Sequence, residues 1–236
     1  VDGLGLGANR HGVTIERDHK ITAAHPDGVR WTLVTDDGER RRFDAVVLAN
    51  GGAEHAAAIL GGASPTLDRW VATARPVVAG CLDVALYGLP SAHHTVVVGL
   101  DEPTYCVVHS TAAQLAPDRG AVIHVLRYGD DLADPVELRR SLEAQLDRAQ
   151  PGWRDLVVDA RFGRRLVAAH DVARPEPAER PRPVLPDLDG VTVAGDWVID
   201  DGLLADAAVG SGLRAGPQAA LHTVAAGPRP SATMSS

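Results

Sequence analysis

Residues 191–213 read VTVAGDWVIDDGLLADAAVGSGL. The run 190–194, with Val191, Thr192 and Val193 β-branched, reads as a short strand of the buried type. Gly195 and Asp196 follow at its carboxyl end, the place where ligands sit in open α/β sheets. Gly195 would let a ligand approach the backbone, and Asp196 can accept hydrogen bonds from ribose-like or ribityl hydroxyls. From about Leu203 the residues turn small: Ala205, Ala207, Ala208, Gly210, Ser211 and Gly212. They predict a helix with a nearly bare surface, able to lie close to a sheet or a flat ring. Its opening near residues 202–204 would aim free N–H groups and a positive dipole end at whatever occupies the corner.

Working outward, residues 12–52 hold a second strand system. Residues 12–15 and 20–24 are apolar enough for strands, and residues 29–35 (VRWTLVT) alternate. Asp37-Gly38 reads as a hairpin turn, because both residues tolerate positive φ. After the polar run 39–42 comes FDAVVLA, residues 43–49, another strand of the doubly buried kind. It stops at the sharp turn Asn50-Gly51-Gly52, ahead of a helical segment at residues 53–60.

Together these two stretches resemble the amine oxidase and phytoene desaturase type of FAD-dependent flavoprotein. The first stretch matches the family's hairpin and D-x-V-V-x-A strand, here Asp44 to Ala49; the second matches its carboxy-terminal Gly-Asp flavin motif. The resemblance implies FAD as cofactor. It places Gly195 and Asp196, with Trp197 beside them, at the ribityl and phosphate region, and Leu204, Ala205 and Asp206 by the flavin ring. It sets the backbone of Ile21 against the adenine, and Ala49, Asn50 and Gly51 in the turn near the dinucleotide. A positive helix end by the ring would stabilise charge on reduced flavin. The implied fold class is α/β: an incomplete FAD-binding Rossmann-type domain from residues 1–52 and 188–227, plus a mixed-sheet α+β substrate domain at 53–187. Residues 228–236 read as a disordered tail.

Family members open with a strand, a GxGxxG turn and a helix that holds the FAD pyrophosphate. Gly3 to Ala8 formally fits G-x-G-x-x-A, yet no strand precedes it, so a flexible loop is expected. The chain opens at Val1, and its single methionine is Met234. With the motif order, this predicts a further amino-terminal FAD-binding segment, supplied in cis or by another chain.

Composition bounds the remaining possibilities. A chain of 236 residues with 45% hydrophobic and 23% charged residues can bury a core. Net charge is −8 and no basic block stands out, which argues against nucleic-acid binding. Lys20 is the only lysine, consistent with a GC-rich coding bias. Cys81 and Cys106 lie apart in apolar runs and read as small buried hydrophobes. No signal segment or membrane-spanning run is visible, so a cytoplasmic protein is expected, with surface contact to a membrane left open.

The middle of the chain predicts strands at 77–86, 95–99, 104–109, 121–128 and 156–162. Between the last two lies an amphipathic helix from Pro135, with Asp134 as cap and Leu138, Leu142 and Leu146 at four-residue spacing. Five prolines within 174–187 predict an extended crossing between domains. Gly216-Pro217 predicts a kink or a fresh helix start. His93-His94 reads as a loop pair and not a metal site, and Asp200 and Asp201 as loop carboxylates or a cap. No Walker loop or G-x-S-x-G elbow occurs. The aromatic residues read as core, with some available to line a substrate cavity.

Three functions remain. One is a flavin oxidoreductase taking hydride from an apolar small molecule, such as an isoprenoid or an amine. The second is a non-catalytic fragment or split-flavoprotein subunit that needs a partner chain. The third is an FAD-dependent isomerase. No side chain is assigned as catalytic acid or base.

Overall fold

The computed structural model describes residues 2–129, 134–172, 180–198 and 202–225. Mixed α/β in class, the chain divides into unit 1, residues 1–74 with 173–236, and unit 2, residues 75–172.

Unit 1 begins with helix α1 (Asp2–Arg10) where a loop was expected from the glycine run. Strands β1 (Ile21–Asp27), β2 (Arg30–Thr35) and β3 (Arg40–Phe43) form an antiparallel meander. The polar run 39–42 is therefore largely strand, whereas residues 12–15 are not. Among the described residues strand β3 pairs on one edge only, and its arginines are exposed or half-buried. Then come β4 (Val46–Leu48) and helices α2 (Ala53–Leu60) and α3 (Pro65–Thr73).

After unit 2 the chain returns through an extended segment, of which residues 180–187 are described. Val184 bridges to Thr192 on β10 (Val191–Val193), and β10 pairs parallel with β4. The single helix α5 (Ala205–Ala225) closes the unit. It continues through Pro217 instead of restarting there. Leu213, whose carbonyl Pro217 cannot bond, is exposed, so water can satisfy it. The predicted tail lies outside the described residues, as do Asp200 and Asp201.

The core of unit 1 gathers Trp31, Val46, Leu48, Leu60, Leu67, Leu185, Val191, Val193, Trp197 and Val198. Leu60, Leu67 and Leu185 explain why the unit boundaries differ from the expected 52/53 and 187/188. Helices α2 and α3 and the end of the crossing bury their apolar faces here, so they fold with this core.

A polar clamp ties the crossing to α3. Ser64 caps the helix, accepting from the Leu67 N–H at 3.1 Å, and its hydroxyl donates to the Asp187 carboxylate at 3.0 Å. The Thr66 N–H reaches the same carboxylate at 2.8 Å. Partial desolvation acts to raise the Asp187 pKa, but the donors from Thr66 and Ser64 outweigh it and hold the carboxyl below its ordinary value. A lowered folded-state pKa stabilises the fold above the unfolded value and loses that contribution as pH falls through the folded one. Asp187→Asn should therefore lower neutral-pH stability by about 1 kcal/mol, solvent screening allowed for. It should also flatten the acid side of the stability profile. Urea titrations across the acidic range check this, and parallel profiles for the two proteins would refute it.

Unit 2 is one sheet of five strands in the order β6-β7-β8-β5-β9, formed by β5 (Val77–Leu86), β6 (Val96–Val98), β7 (Thr104–Val108), β8 (Ala121–Tyr128) and β9 (Val157–Ala169). Every pairing is antiparallel, which corrects the expected mixed sheet. Antiparallel neighbours need no crossover helix, so one helix suffices to cover one face. That helix is α4 (Pro135–Ala149), capped by Asp134, whose carboxylate accepts from the Val136 and Glu137 N–H groups. Leu138, Leu142 and Leu146 are fully buried against Leu82, Val84, Ile123 and Val125. Strand β9 outruns its expected length because it follows β5 end to end, with irregular register at three places.

Candidate functional site

The parallel pair β4–β10 brings the two sequence motifs together. Val46, Val47 and Leu48 face Val191, Thr192 and Val193, and the Ala194 N–H donates to the Leu48 carbonyl at 2.9 Å. Both strands therefore end at one level, and the turn 49–51 stands beside the turn 194–196.

Trp197 locks this corner. Its indole Nε1 donates to the Gly51 carbonyl at 2.7 Å, its ring meets Trp70 edge-on at 6.1 Å, and it is 2% exposed. The indole also explains Gly195. A Cβ there would lie 2.6 Å from Trp197 Nε1 and 3.3 Å from the Gly51 oxygen. The indole thus fills the space beside Gly195, and Trp197 is a core residue.

Ser211 latches α5 to the corner. Its buried hydroxyl accepts from the Gly195 N–H at 3.0 Å and can donate to the carbonyl of Gly195 or of Ala208. Ala207, Ser211 and Ala215 are the buried positions that line up at four-residue spacing on α5. The bare helix surface expected from the sequence is realised there as close packing on β10 and β4. Arg180 spans the other side, donating from Nη2 to the Asp196 carbonyl at 2.6 Å and from Nη1 to the Gly202 carbonyl at 3.5 Å. Sequence reading missed Arg180, which stands in a proline-rich stretch with no motif to mark it. It counted Ser211 only as a small residue.

The remaining expected positions differ in surroundings. Ala49 and Asn50 are exposed at the end of β4, and Asp196 and Gly51 are half-buried. Leu204, at φ 53°, Ala205 and Asp206 are exposed at the start of α5. Ile21 lies in a different sheet, opposite Thr35 at the start of β1.

Unit 2 carries two further groupings. Burial pushes the Cys106 thiol up to about 11 and raises Cys81 as well, so both are protonated at neutral pH. On the sheet face opposite α4, Ala79, Cys81 and Leu126 cluster with Tyr105 and Tyr128. There His124 Nδ1 hydrogen-bonds the Asp83 carboxylate, and the His109 ring lies 5.7 Å from that of His124. Asp83 and His124 are opposite one another on β5 and β8, and His109 opens the turn after β7, so strand pairing and not a local pattern brings them together.

No family model and no curated protein matches the chain. Solved structures do. An oxidoreductase from Methanosarcina mazei superposes with a TM-score of 0.67 at 16% identity, over 92% of this chain and 53% of the other. A candidate protoporphyrinogen oxidase from Exiguobacterium sp. 255-15 gives 0.60 at 14% identity, over 93% and 51%. The anhydrotetracycline hydroxylase OxyS of Streptomyces rimosus gives 0.51 at 19%, over 96% and 42%. The chain spans about half the length of these proteins. Its fold is thus one found in oxidoreductases, while identities this low carry neither substrate nor cofactor across. Among the described residues no helix is long and apolar enough to cross a membrane.

Proposed function

We propose that the chain is the part of an FAD-dependent oxidoreductase that forms one wall of the flavin site, with unit 1 as an incomplete Rossmann-type domain. The observation that carries this reading is the lock between the two turns. Motifs about 145 residues apart share one parallel strand pair, one tryptophan hydrogen bond and one helix start.

The residues present fit a flavin nucleotide in part. Asn50, Asp196, Asp206 and the turn at Gly51 offer polar groups at strand ends and a helix start, the usual place for a ligand in such sheets. Bound there, FAD would supply the capacity to accept two electrons as hydride. Asp196 would accept ribityl hydroxyls, while exposed Leu203 and Leu204 would shield a flat ring from water. The amino end of α5 would favour negative charge beside it. Gly195 and Trp197 would act behind the site as its frame. The substrate would be an apolar small molecule, such as an isoprenoid or an amine.

A second reading has its own support. Strand β4 pairs only with β10 among the described residues, and two-stranded sheets are marginal by themselves. A segment supplied in cis or trans would complete the sheet and the nucleotide site. Titrating FAD into the purified chain, with flavin fluorescence as readout, separates the readings. If the chain holds the cofactor alone, binding is saturable, and Asp196→Ala weakens it about tenfold. No binding by the wild type favours the split-subunit reading. Binding indifferent to Asp196 overturns the placement. Anaerobic bleaching of the flavin by substrate then divides net oxidation from isomerisation.

A further inference from the structure

Unit 1 contains a cavity of about 740 Å3 between α3, residues 180–186 and the middle of α5. Four arginines, Arg69, Arg180, Arg182 and Arg214, line it, and no described lining residue is acidic. In a chain of net charge −8 this gathering of positive charge runs against the overall balance. Between the guanidinium groups the wall is apolar, with Trp70, Val184, Leu213 and three prolines.

The walls are held in place. The Asp187 clamp fastens α3 to the crossing segment, Arg69 Nη2 donates to Thr66 Oγ1 at 3.1 Å, and Trp70 rests edge-on against the buried Trp197. Arg180 is anchored by two backbone carbonyls, yet its Nε is buried with no hydrogen-bond partner among the described residues. A buried donor of this kind calls for an acceptor.

We propose that this cavity binds an anion carrying an apolar or aromatic body, a phosphate monoester or a carboxylate of roughly naphthyl size. The forked N–H groups of arginine match the oxygens of either anion, and the Trp70, Leu213 and proline surfaces take the body. The site adjoins the proposed flavin position through Arg180, which bonds the Asp196 and Gly202 carbonyls, and extends away from it along α5. Leu213 to Gln218 lie eight to thirteen residues into α5, about 12–20 Å along its axis from Ala205.

Calorimetric titration of the full chain with 1-naphthyl phosphate, inorganic phosphate and 1-naphthol tests the assignment. Naphthyl phosphate is expected to bind at least about tenfold tighter than either of the other two, since both halves of the site are engaged. Arg182→Gln should weaken it by about tenfold or more, while Arg42→Gln, on β3, should leave it unchanged. Leu213→Glu provides a variant at a position 72% exposed, where folding is not at stake, and should abolish binding by setting a carboxylate at the wall. Naphthyl phosphate binding no tighter than naphthol overturns the proposal, as does equal loss in the Arg182 and Arg42 variants. Undiminished binding to Leu213→Glu, or none by the wild type, overturns it too.

Discussion

Trp197→Ala is expected to destabilise unit 1 by about 3–5 kcal/mol, the range for deleting a large buried aromatic. Because domains are stable by only about 5–15 kcal/mol, that loss should leave much of the unit unfolded near physiological temperature. Three contributions vanish together: the buried indole, its edge contact with Trp70, and its bond to the Gly51 carbonyl. The variant also empties the space that the missing Cβ of Gly195 leaves open. Trp197→Phe keeps most of the apolar burial but strands the Gly51 oxygen, and should cost less, about 1–3 kcal/mol. Urea denaturation of both variants gives the comparison. A Trp197→Ala protein within about 1 kcal/mol of wild type would show that the corner does not depend on this side chain.

Leu142→Ala is expected to cost unit 2 about 2–5 kcal/mol. Leu142 is fully buried at the centre of α4, between Leu138 and Leu146 and over the apolar strand positions of β5 and β8. The surrounding strands are bound in a continuous antiparallel ladder, so they cannot collapse into the gap, and the cavity term should stay near the high end. Val136 on the same helix is 65% exposed, and Val136→Ala should move stability by no more than about 0.5 kcal/mol. Resistance to proteolysis within residues 75–172, followed against urea, separates the two variants. Equal resistance would mean that α4 adds little to the sheet.

The contrast between α4 and α1 shows how far local signals reach. Asp134, Pro135 and three leucines at four-residue spacing specify a start, a first turn and a buried stripe, and α4 matches them nearly to the residue. Strands β5 and β8 are likewise legible, since their apolar runs end at Gly, Pro or Asp. The glycine run of α1 carries the opposite local signal, as each glycine disfavours helix by about 1 kcal/mol, and it is helical nonetheless. Arg40 to Phe43 is a strand because Trp31 to Val34 offer it a pairing edge, a partner no scan of residues 39–42 could supply.

At the corner, residue identity and residue role part company. Sequence alone determined that a strand, a Gly-Asp turn and a helix of small residues follow one another, and that a second strand ends at Asn50-Gly51. Those features depend on backbone preferences and on the size of neighbouring side chains. Tertiary structure decided that Gly195 makes room for Trp197, that Ser211 holds the turn to α5, and that the sheet of unit 2 is antiparallel. It also decided that Arg69, Arg180, Arg182 and Arg214 surround one cavity. Each of these outcomes depends on packing between residues far apart in the chain, and the energy of such a contact leaves no trace in the local pattern of either partner.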